Sequence, residues 1–183
     1  MTRVLLFSLL LTPLQAWADA CYSRGQELPI INEQVLVWKR ATKNQYKSRA
    51  HVLGKIVQVY RDRQSHNHFS ISLGPRQGDT VELVFNKDFG VLPELQAGDE
   101  VEACGDYITA NAPTRRYPAS PDGALVHWLH RSNSRAHDHG FIVLKGRRYG
   151  DAPVRRDDVA VPLGAFVAPP LCQSPAEVSC SVR

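Results

Sequence analysis

The sequence lacks the motifs that mark the common nucleotide-dependent enzymes. It contains no internal repeat, no P-loop and no Gly-rich dinucleotide-binding fingerprint. It also lacks the G-x-S-x-G, H-E-x-x-H and Cys-His arrangements that place a nucleophile or a metal in many hydrolases. These absences exclude an assignment from a catalytic motif, so a functional site has to be inferred from scattered residues.

Long hydrophobic runs are missing as well. The apolar run from Val4 to Leu11 is shorter than the roughly 20 residues that a transmembrane anchor needs. Arg3 precedes this run, and the small-residue site Ala16-Trp17-Ala18 follows it. This order predicts that residues 1–20 are a secretory signal peptide.

The predicted mature chain is an exported protein without a transmembrane segment. Cleavage after Ala20 would expose Cys21 and make a lipoprotein, but Ala18 and Asp19 match the residues before such a cysteine poorly. We therefore expect a periplasmic or secreted protein. Its roughly 163 residues suffice for one domain, which we place at 21–150, ahead of an irregular tail at 151–183.

Cysteines are few, and all four lie beyond the predicted signal peptide. They contain no C-x2-C unit, the spacing found in many structural zinc sites, which disfavours a metal role. In an oxidising compartment an even number predicts disulfides, with three connectivities open. We favour Cys21 with Cys104 and Cys172 with Cys180, which would tie the mature N-terminus to a core strand and close a hairpin in the tail.

No charge of one sign dominates the chain, but the charges are segregated along it. The formal net charge is +4 and the pI is about 9.0. Residues 38–63 carry eight Lys or Arg and one acid, residues 79–106 eight acids and one Lys, and residues 111–156 nine basic residues and three acids. This pattern predicts either a basic face for an anionic partner or ordinary solvated strand faces and loops.

The periodicity of apolar residues predicts a mainly β protein with one short N-terminal helix, over residues 28–39. Alternating or β-branched runs predict strands at 51–60, 69–73, 80–85, 100–108, 124–129 and 140–144. Five or six short strands with one long loop at 109–123 favour a small OB-like antiparallel β-barrel, with a β-sandwich as the alternative. Beyond residue 150 the chain is Pro-rich and has little periodicity.

Histidine is plentiful, and six of the seven histidines fall in two groups. The groups are His66 and His68 before one predicted strand, and His127, His130, His137 and His139 around another. Neutral imidazoles bind zinc, copper or nickel, and they titrate near neutral pH. Solvated side chains are the alternative, above all for His139 in a polar loop. His127 and His130 would converge only across a bend in the chain.

Four short motifs follow one another across about residues 51–149. They read His66-Asn67-His68-Phe69, Phe85-Asn86-Lys87-Asp88, Gly98-Asp99-Glu100-Val101 with Gly105-Asp106-Tyr107, and His127-Trp128-Leu129-His130 with His137 and Gly140-Phe141. In order and spacing they resemble the bacterial family catalogued as Domain of Unknown Function 3465. Its recurring features are an HQRF-like strand start, an HNID-like segment, a GD-V-GEY strand, and HWTHHDP followed by H and GW.

Two departures from the family pattern fall on residues that could carry chemistry. Phe85 stands where the family has the histidine of HNID, and His130-Arg131-Ser132-Asn133 replaces the HHDP portion. If the missing residues are essential in the family, this chain is a divergent member. The resemblance implies no activity, but it marks a candidate functional cluster of His66, His127, Trp128, His130 and His137.

Two functional hypotheses follow. The first is an exported binding module for an anionic polymer, such as nucleic acid or an envelope glycan, because OB-type barrels bind polymers on one face. Its candidate contacts are Trp128, Tyr107, Arg115, Arg116, Arg131 and Arg135. The second, ranked lower, is a metal-dependent hydrolase of the phosphodiesterase or nuclease kind, without identified catalytic residues. In it a divalent transition metal such as zinc would be held by His66, His127, His130 and His137.

Overall fold

A computed structural model of the chain describes residues 20–132, 134 and 137–151. Its elements are β1 (Tyr22–Ser23), β2 (Gln26–Glu27), α1 (Asn32–Ala41), β3 (Lys47–Val59), β4 (His66–Ser72), β5 (Thr80–Asn86), a 3-10 turn (Lys87–Phe89), β6 (Glu100–Thr109), β7 (Ala124–His127), β8 (Phe141–Leu144) and β9 (Arg147–Tyr149). Nearly all of the predicted signal peptide and of the predicted tail lie outside the described residues, as do Arg135, Cys172 and Cys180.

Five strands close into a barrel of the predicted OB-like type. β3, β4, β5, β7 and β6 are hydrogen-bonded in that order, and β6 pairs back with β3 to complete the ring. Neighbouring strands are antiparallel except β5 and β7, which run parallel. An odd number of strands cannot alternate direction all the way round a closed ring, so one parallel pair is required. The predicted OB-like barrel is confirmed, with β5 and β7 as its parallel pair.

The barrel interior is filled by every second residue of the strands, as the period of a β-strand requires. Phe69 and Ile71 of β4 and Leu83 and Phe85 of β5 are completely buried. Helix α1 adds Val35 and Leu36 to the same core. The predicted alternation of Val101, Ala103 and Gly105 in β6 is confirmed, since all three face the interior.

Helix α1 begins four residues later than predicted. The backbone before it is held elsewhere, because Leu28 N donates to Cys21 O at 2.7 Å and Ile31 N donates to His51 O at 2.8 Å. The Asn32 side chain then pairs with the backbone of Leu53, donating through Nδ2 at 2.6 Å and accepting through Oδ1 at 3.1 Å. These bonds fix the start of α1 against β3.

A disulfide fastens the N-terminal hairpin of β1 and β2 to the barrel. It joins Cys21 to Cys104 of β6 across a sequence separation of 83 residues, which confirms the predicted pairing. Closing a loop of that length stabilises the folded state by roughly 4 kcal/mol in the chain-entropy account of cross-links. Within residues 20–132, 134 and 137–151, none of the helices has the length and apolarity that a membrane crossing requires.

Strand limits differ from the sequence prediction where they matter most for a site. β4 begins at His66, so His66 and His68 lie within the strand rather than before it. β7 ends at His127, two residues earlier than predicted. Strands β1, β2 and β9 were not predicted, because elements of two or three residues are too short to produce a readable alternation.

Candidate functional site

The ends of three barrel strands meet at one end of the barrel. His66, at the start of β4, is opposite Asn86, at the end of β5. Leu83 of β5 is level with Val126 of β7, so these parallel strands end side by side. The end of β5, the end of β7 and the start of β4 therefore surround one pocket.

We call this pocket, of about 370 Å³, the histidine pocket. Its lining residues are His66, Asn86, Phe89, His127, Trp128, His130, Arg131, Ser132 and Ser134. The volume is within the range of small-ligand sites. Four of the five members of the predicted functional cluster line it, and the fifth, His137, contacts it through Trp128.

A sharp bend after β7 turns the chain into the histidine pocket. Trp128 has a φ of 57°, a left-handed conformation that is uncommon for a bulky residue. Gly140 packs against the bend so closely that a Cβ atom there would lie 1.9 Å from Trp128 O and 2.6 Å from Cys104 O. Only glycine fits at position 140. This is the bend that the sequence required for His127 and His130 to share a site.

Ring packing separates the predicted metal ligands into different environments. The His66 and His127 ring centroids lie 5.4 Å apart, with the ring planes inclined by 48°. His137 instead stacks on Trp128, at 4.1 Å and 15°, and His130 stacks on Phe89, at 3.7 Å and 11°. The structure therefore brings His66 and His127 together, whereas His130 and His137 pack on aromatic rings.

Several histidines are held in one orientation through Nδ1. The acceptor oxygens are those of Gln64 for His66 (2.6 Å), Glu82 for His68 (2.7 Å), Arg131 for His130 (2.9 Å) and Asp106 for His137 (2.6 Å). Backbone carbonyls and carboxylates only accept, so Nδ1 carries the proton in each pair. In the neutral ring Nε2 is then left as an acceptor or a metal ligand.

His127 is the exception, because its Nε2 is buried and has no hydrogen-bond partner among the described residues. Burial is the main cause that lowers the pKa of His127 to about 4, and repulsion by His66 and His130 adds to it. Burial also lowers the pKa of His130, against the opposing effect of its bond to Arg131 O. Both rings are therefore neutral at neutral pH, with a lone pair on one ring nitrogen.

Beside His137 lies a larger pocket, of about 670 Å³, between the N-terminal hairpin and β6. Arg49, with a side chain 7% exposed, crosses it and pairs with Asp106 at 2.9 Å. Arg49 also donates to Tyr22 O at 3.1 Å and to His139 O. These bonds join the hairpin, β6 and the loop after β7, so Arg49 holds the structure together, and its partner Asp106 orients His137.

The predicted arginine contacts do not form one set. Arg131 is exposed and lines the histidine pocket. Arg115 and Arg116 are also exposed, but they lie in the loop before β7, beyond the opposite end of that strand. Arg135 lies outside the described residues. The three described arginines therefore do not form a single basic surface.

Tyr107 was predicted to contribute to a binding face, and that prediction is wrong. Its side chain is completely buried in the barrel. The hydroxyl is 3.0 Å from Thr109 Oγ1, and the ring packs against Trp38 at 5.4 Å. The alternation of β6 places Tyr107 on the same inward face as Val101 and Ala103.

A second polar group of side chains, the Asp122 cluster, consists of Tyr60, Ser70, Thr80 and Asp122. The Asp122 carboxylate accepts from Tyr60 Oη at 3.2 Å, from Ser70 Oγ at 3.0 Å and from Thr80 Oγ1 at 2.5 Å. Burial and the neighbouring carboxylate raise the pKa of Tyr60 to about 12. All the hydroxyls of this cluster are paired, which is the pattern of a structural network.

Among the residues that the structure describes, no group of three or more His, Cys, Asp or Glu side chains is arranged to hold a metal ion.

Sequence reasoning missed Asn86 and Phe89 as residues of the histidine pocket. A signal for Asn86 was present, since it belongs to the HNID-like segment; Phe89 is brought in by the 3-10 turn, which has no sequence signature.

Comparison with known families gives a match over most of the chain. The model of the family described as "Protein of unknown function (DUF3465)" matches residues 26–150. The chain belongs to this family. The match includes the whole barrel and all the residues that line the histidine pocket. Among curated proteins, no sequence matches the chain.

Proposed function

We propose that the protein is an exported binding module and that the histidine pocket takes one unit of an anionic polymer. The observation that carries this proposal is the composition of the lining. Among the described residues it contains an arginine and an amide, both of which can donate hydrogen bonds, and no acidic residue. The larger pocket is lined by Arg24 and Arg49 but also by three acidic residues, Glu27, Asp106 and Asp138. Of the two pockets, the histidine pocket has the chemistry that suits an anion.

Size and aromatic content narrow the ligand class. A pocket of about 370 Å³ suits a single nucleotide or acidic sugar rather than a long stretch of polymer. Trp128 and Phe89 line it and offer apolar surface to a base or a sugar ring. Arg131 supplies planar donors that suit a phosphate or a carboxylate.

Export is the second part of the proposal. The segment at residues 1–20 has the order of a signal peptide, and the Cys21–Cys104 disulfide supports an extracytoplasmic location. Disulfides persist in oxidising compartments and are rare where thiols are kept reduced. An anionic polymer of the cell envelope or the surroundings is therefore the partner class that fits.

The test measures binding of a labelled single-stranded DNA and of polygalacturonate, with neutral dextran as the uncharged control. We expect Arg131→Ala to weaken binding of the anionic probe roughly tenfold, because a charge-assisted bond is lost. Arg115→Ala is the control, because it removes an equally exposed positive charge beyond the other end of β7. It should change the affinity for the anionic probe less than twofold.

Three results would count against the proposal. Equal losses of affinity in Arg131→Ala and Arg115→Ala would show that the probe binds a diffuse basic surface rather than the histidine pocket. Binding that does not weaken with added salt would show that charge is not recognised. The absence of binding to either anionic probe would remove the anionic polymer as the ligand.

A further inference from the structure

We infer that His66 and His127 form a site for a transition-metal ion of the Zn²⁺, Cu²⁺ or Ni²⁺ class, bound through the Nε2 atom of each ring. This inference goes beyond anion binding and does not depend on it. It retains two of the four histidines that the sequence suggested as ligands. Hydrolysis by such a site remains a prediction.

The first observation is the unpaired nitrogen of His127. Its Nε2 is buried without a hydrogen-bond partner among the described residues, in a ring that lines the histidine pocket. Leaving such an atom without a partner disfavours the folded state. Buried polar atoms in native proteins almost always have a partner, so this nitrogen offers a place for a water, an ion or a ligand group.

The second observation is the way in which His66 is held. Its Nδ1 donates to Gln64 O at 2.6 Å, which leaves the Nε2 lone pair available. Histidines that bind metals typically donate their other ring N–H to a carbonyl or a carboxylate, which fixes the tautomer and the ring orientation. His66 is therefore already oriented as a ligand.

The turn that holds His66 is itself unusual. Gln64 and Ser65 both have positive φ values, 48° and 60°, and Arg63 pairs with His66 on either side of them. This is the two-residue hairpin geometry that normally selects Asn-Gly or another glycine pair. Neither residue here is glycine, so the turn costs energy. Strain of this kind is commonly found at functional sites.

The third observation is the separation of the two rings. Imidazoles that share a tetrahedral zinc through Zn–N bonds of about 2.0–2.1 Å have ring centroids roughly 5 Å apart. The observed separation of His66 and His127 is 5.4 Å. Their planes are inclined by 48°, whereas the stacked pairs of this site are inclined by 15° or less. The two rings are thus neighbours without being stacked.

The chemistry of the pocket selects the class of ion. Neutral imidazole nitrogens favour zinc, copper and nickel, whereas calcium and magnesium prefer oxygen ligands. The lining contains no carboxylate to serve a calcium site. Two protein nitrogens leave the remaining coordination positions to water or to an anionic group of a bound ligand.

The experiment titrates Ni²⁺ and Zn²⁺ into the mature protein by calorimetry, after removal of metals with EDTA and without any anionic probe. We expect one ion per chain. His66→Gln and His127→Gln should each weaken binding at least tenfold. The matched control changes His139, an exposed histidine of the loop between β7 and β8. The metal affinity of the His139→Gln variant should stay within twofold of the unchanged protein. Circular dichroism of each variant verifies that it is folded.

Three results would overturn this inference. They are the absence of saturable metal binding by the unchanged protein, equal losses of affinity in all three variants, and full affinity in the His66→Gln variant, whose changed side chain is only partly buried. Arg131→Ala separates the two proposals. It should reduce anion binding without weakening metal binding, because removal of a positive charge from the pocket does not disfavour a cation. Failure of one proposal therefore does not imply failure of the other.

Discussion

The two ends of β7 carry polar clusters of opposite character. Before the strand, the Asp122 carboxylate accepts hydrogen bonds from three hydroxyl groups on three different segments. After it, the histidine pocket contains a tryptophan in a left-handed conformation and a buried nitrogen that has no partner among the residues the structure describes. The first cluster stabilises the barrel. The second costs stability, which is the usual condition of a site kept for a ligand.

This difference matters because both clusters look alike in the sequence. Each consists of polar residues near the end of a short strand, and each contains a side chain that could take part in chemistry. The two clusters differ in whether their buried polar groups have hydrogen-bond partners. Paired groups stabilise the folded state, whereas unpaired buried groups destabilise it. Substitutions at the two clusters should therefore have opposite effects on the free energy of unfolding.

The largest effect is expected from Asp122→Ala. The change leaves the hydroxyl of Ser70, which is 1% exposed, and that of Thr80 without their acceptor. We expect the free energy of unfolding to fall by about 3–4 kcal/mol, as measured by urea denaturation. Asp122→Asn keeps an acceptor oxygen and should lose less. A loss below about 1 kcal/mol for the alanine variant would contradict the view that this cluster is structural.

A smaller effect is expected from acid in the metal-free protein. The pKa of His127 is about 4 in the folded chain, against 6.5 for an ordinary histidine, so the unfolded chain binds this proton more readily. The associated stability is complete above pH 6.5 and is lost as the pH falls towards 4. The loss amounts to roughly 2–3 kcal/mol. Urea denaturation from pH 7 to pH 4 measures it, with His127→Leu as the reference.

That reference variant decides the cause of the acid effect. His127→Leu cannot take up the proton, so its stability should fall less over the same pH range. If the two proteins lose stability in parallel, the acid sensitivity belongs to other groups. The comparison is made in EDTA, so that a bound metal does not compete with the proton.

The barrel could be predicted because its strands alternate strongly. Residues 69–73 and 80–85 were placed almost correctly, since their inward residues Phe69, Ile71, Val81 and Leu83 recur at every second position. The predicted export and an even cysteine count indicated disulfides and left three connectivities open, of which the favoured Cys21–Cys104 pair is confirmed. The insertion of β7 between β5 and β6 is a long-range choice, and no local pattern specifies it.

The site was predictable as a list of residues but not as an arrangement. The sequence motifs identified His66 and His127 as candidates, and in the structure their ring centroids lie 5.4 Å apart. The sequence could not separate them from His130 and His137, whose positions depend on stacking with Phe89 and Trp128. Nor could it place Tyr107 in the core, because an aromatic residue in a strand suits a binding face as well as an interior.

The smallest effect, and the most informative one, concerns the His127→Leu protein at neutral pH. Removing a buried nitrogen that has no partner relieves a desolvation cost, so we expect the free energy of unfolding to stay within about 1 kcal/mol of the unchanged protein, and to rise rather than fall. Metal binding should be lost in the same variant. A stability loss of about 2 kcal/mol or more would show that Nε2 has a partner in solution, such as an ordered water. The histidine pocket would then resemble the Asp122 cluster, and the contrast between the two ends of β7 would disappear.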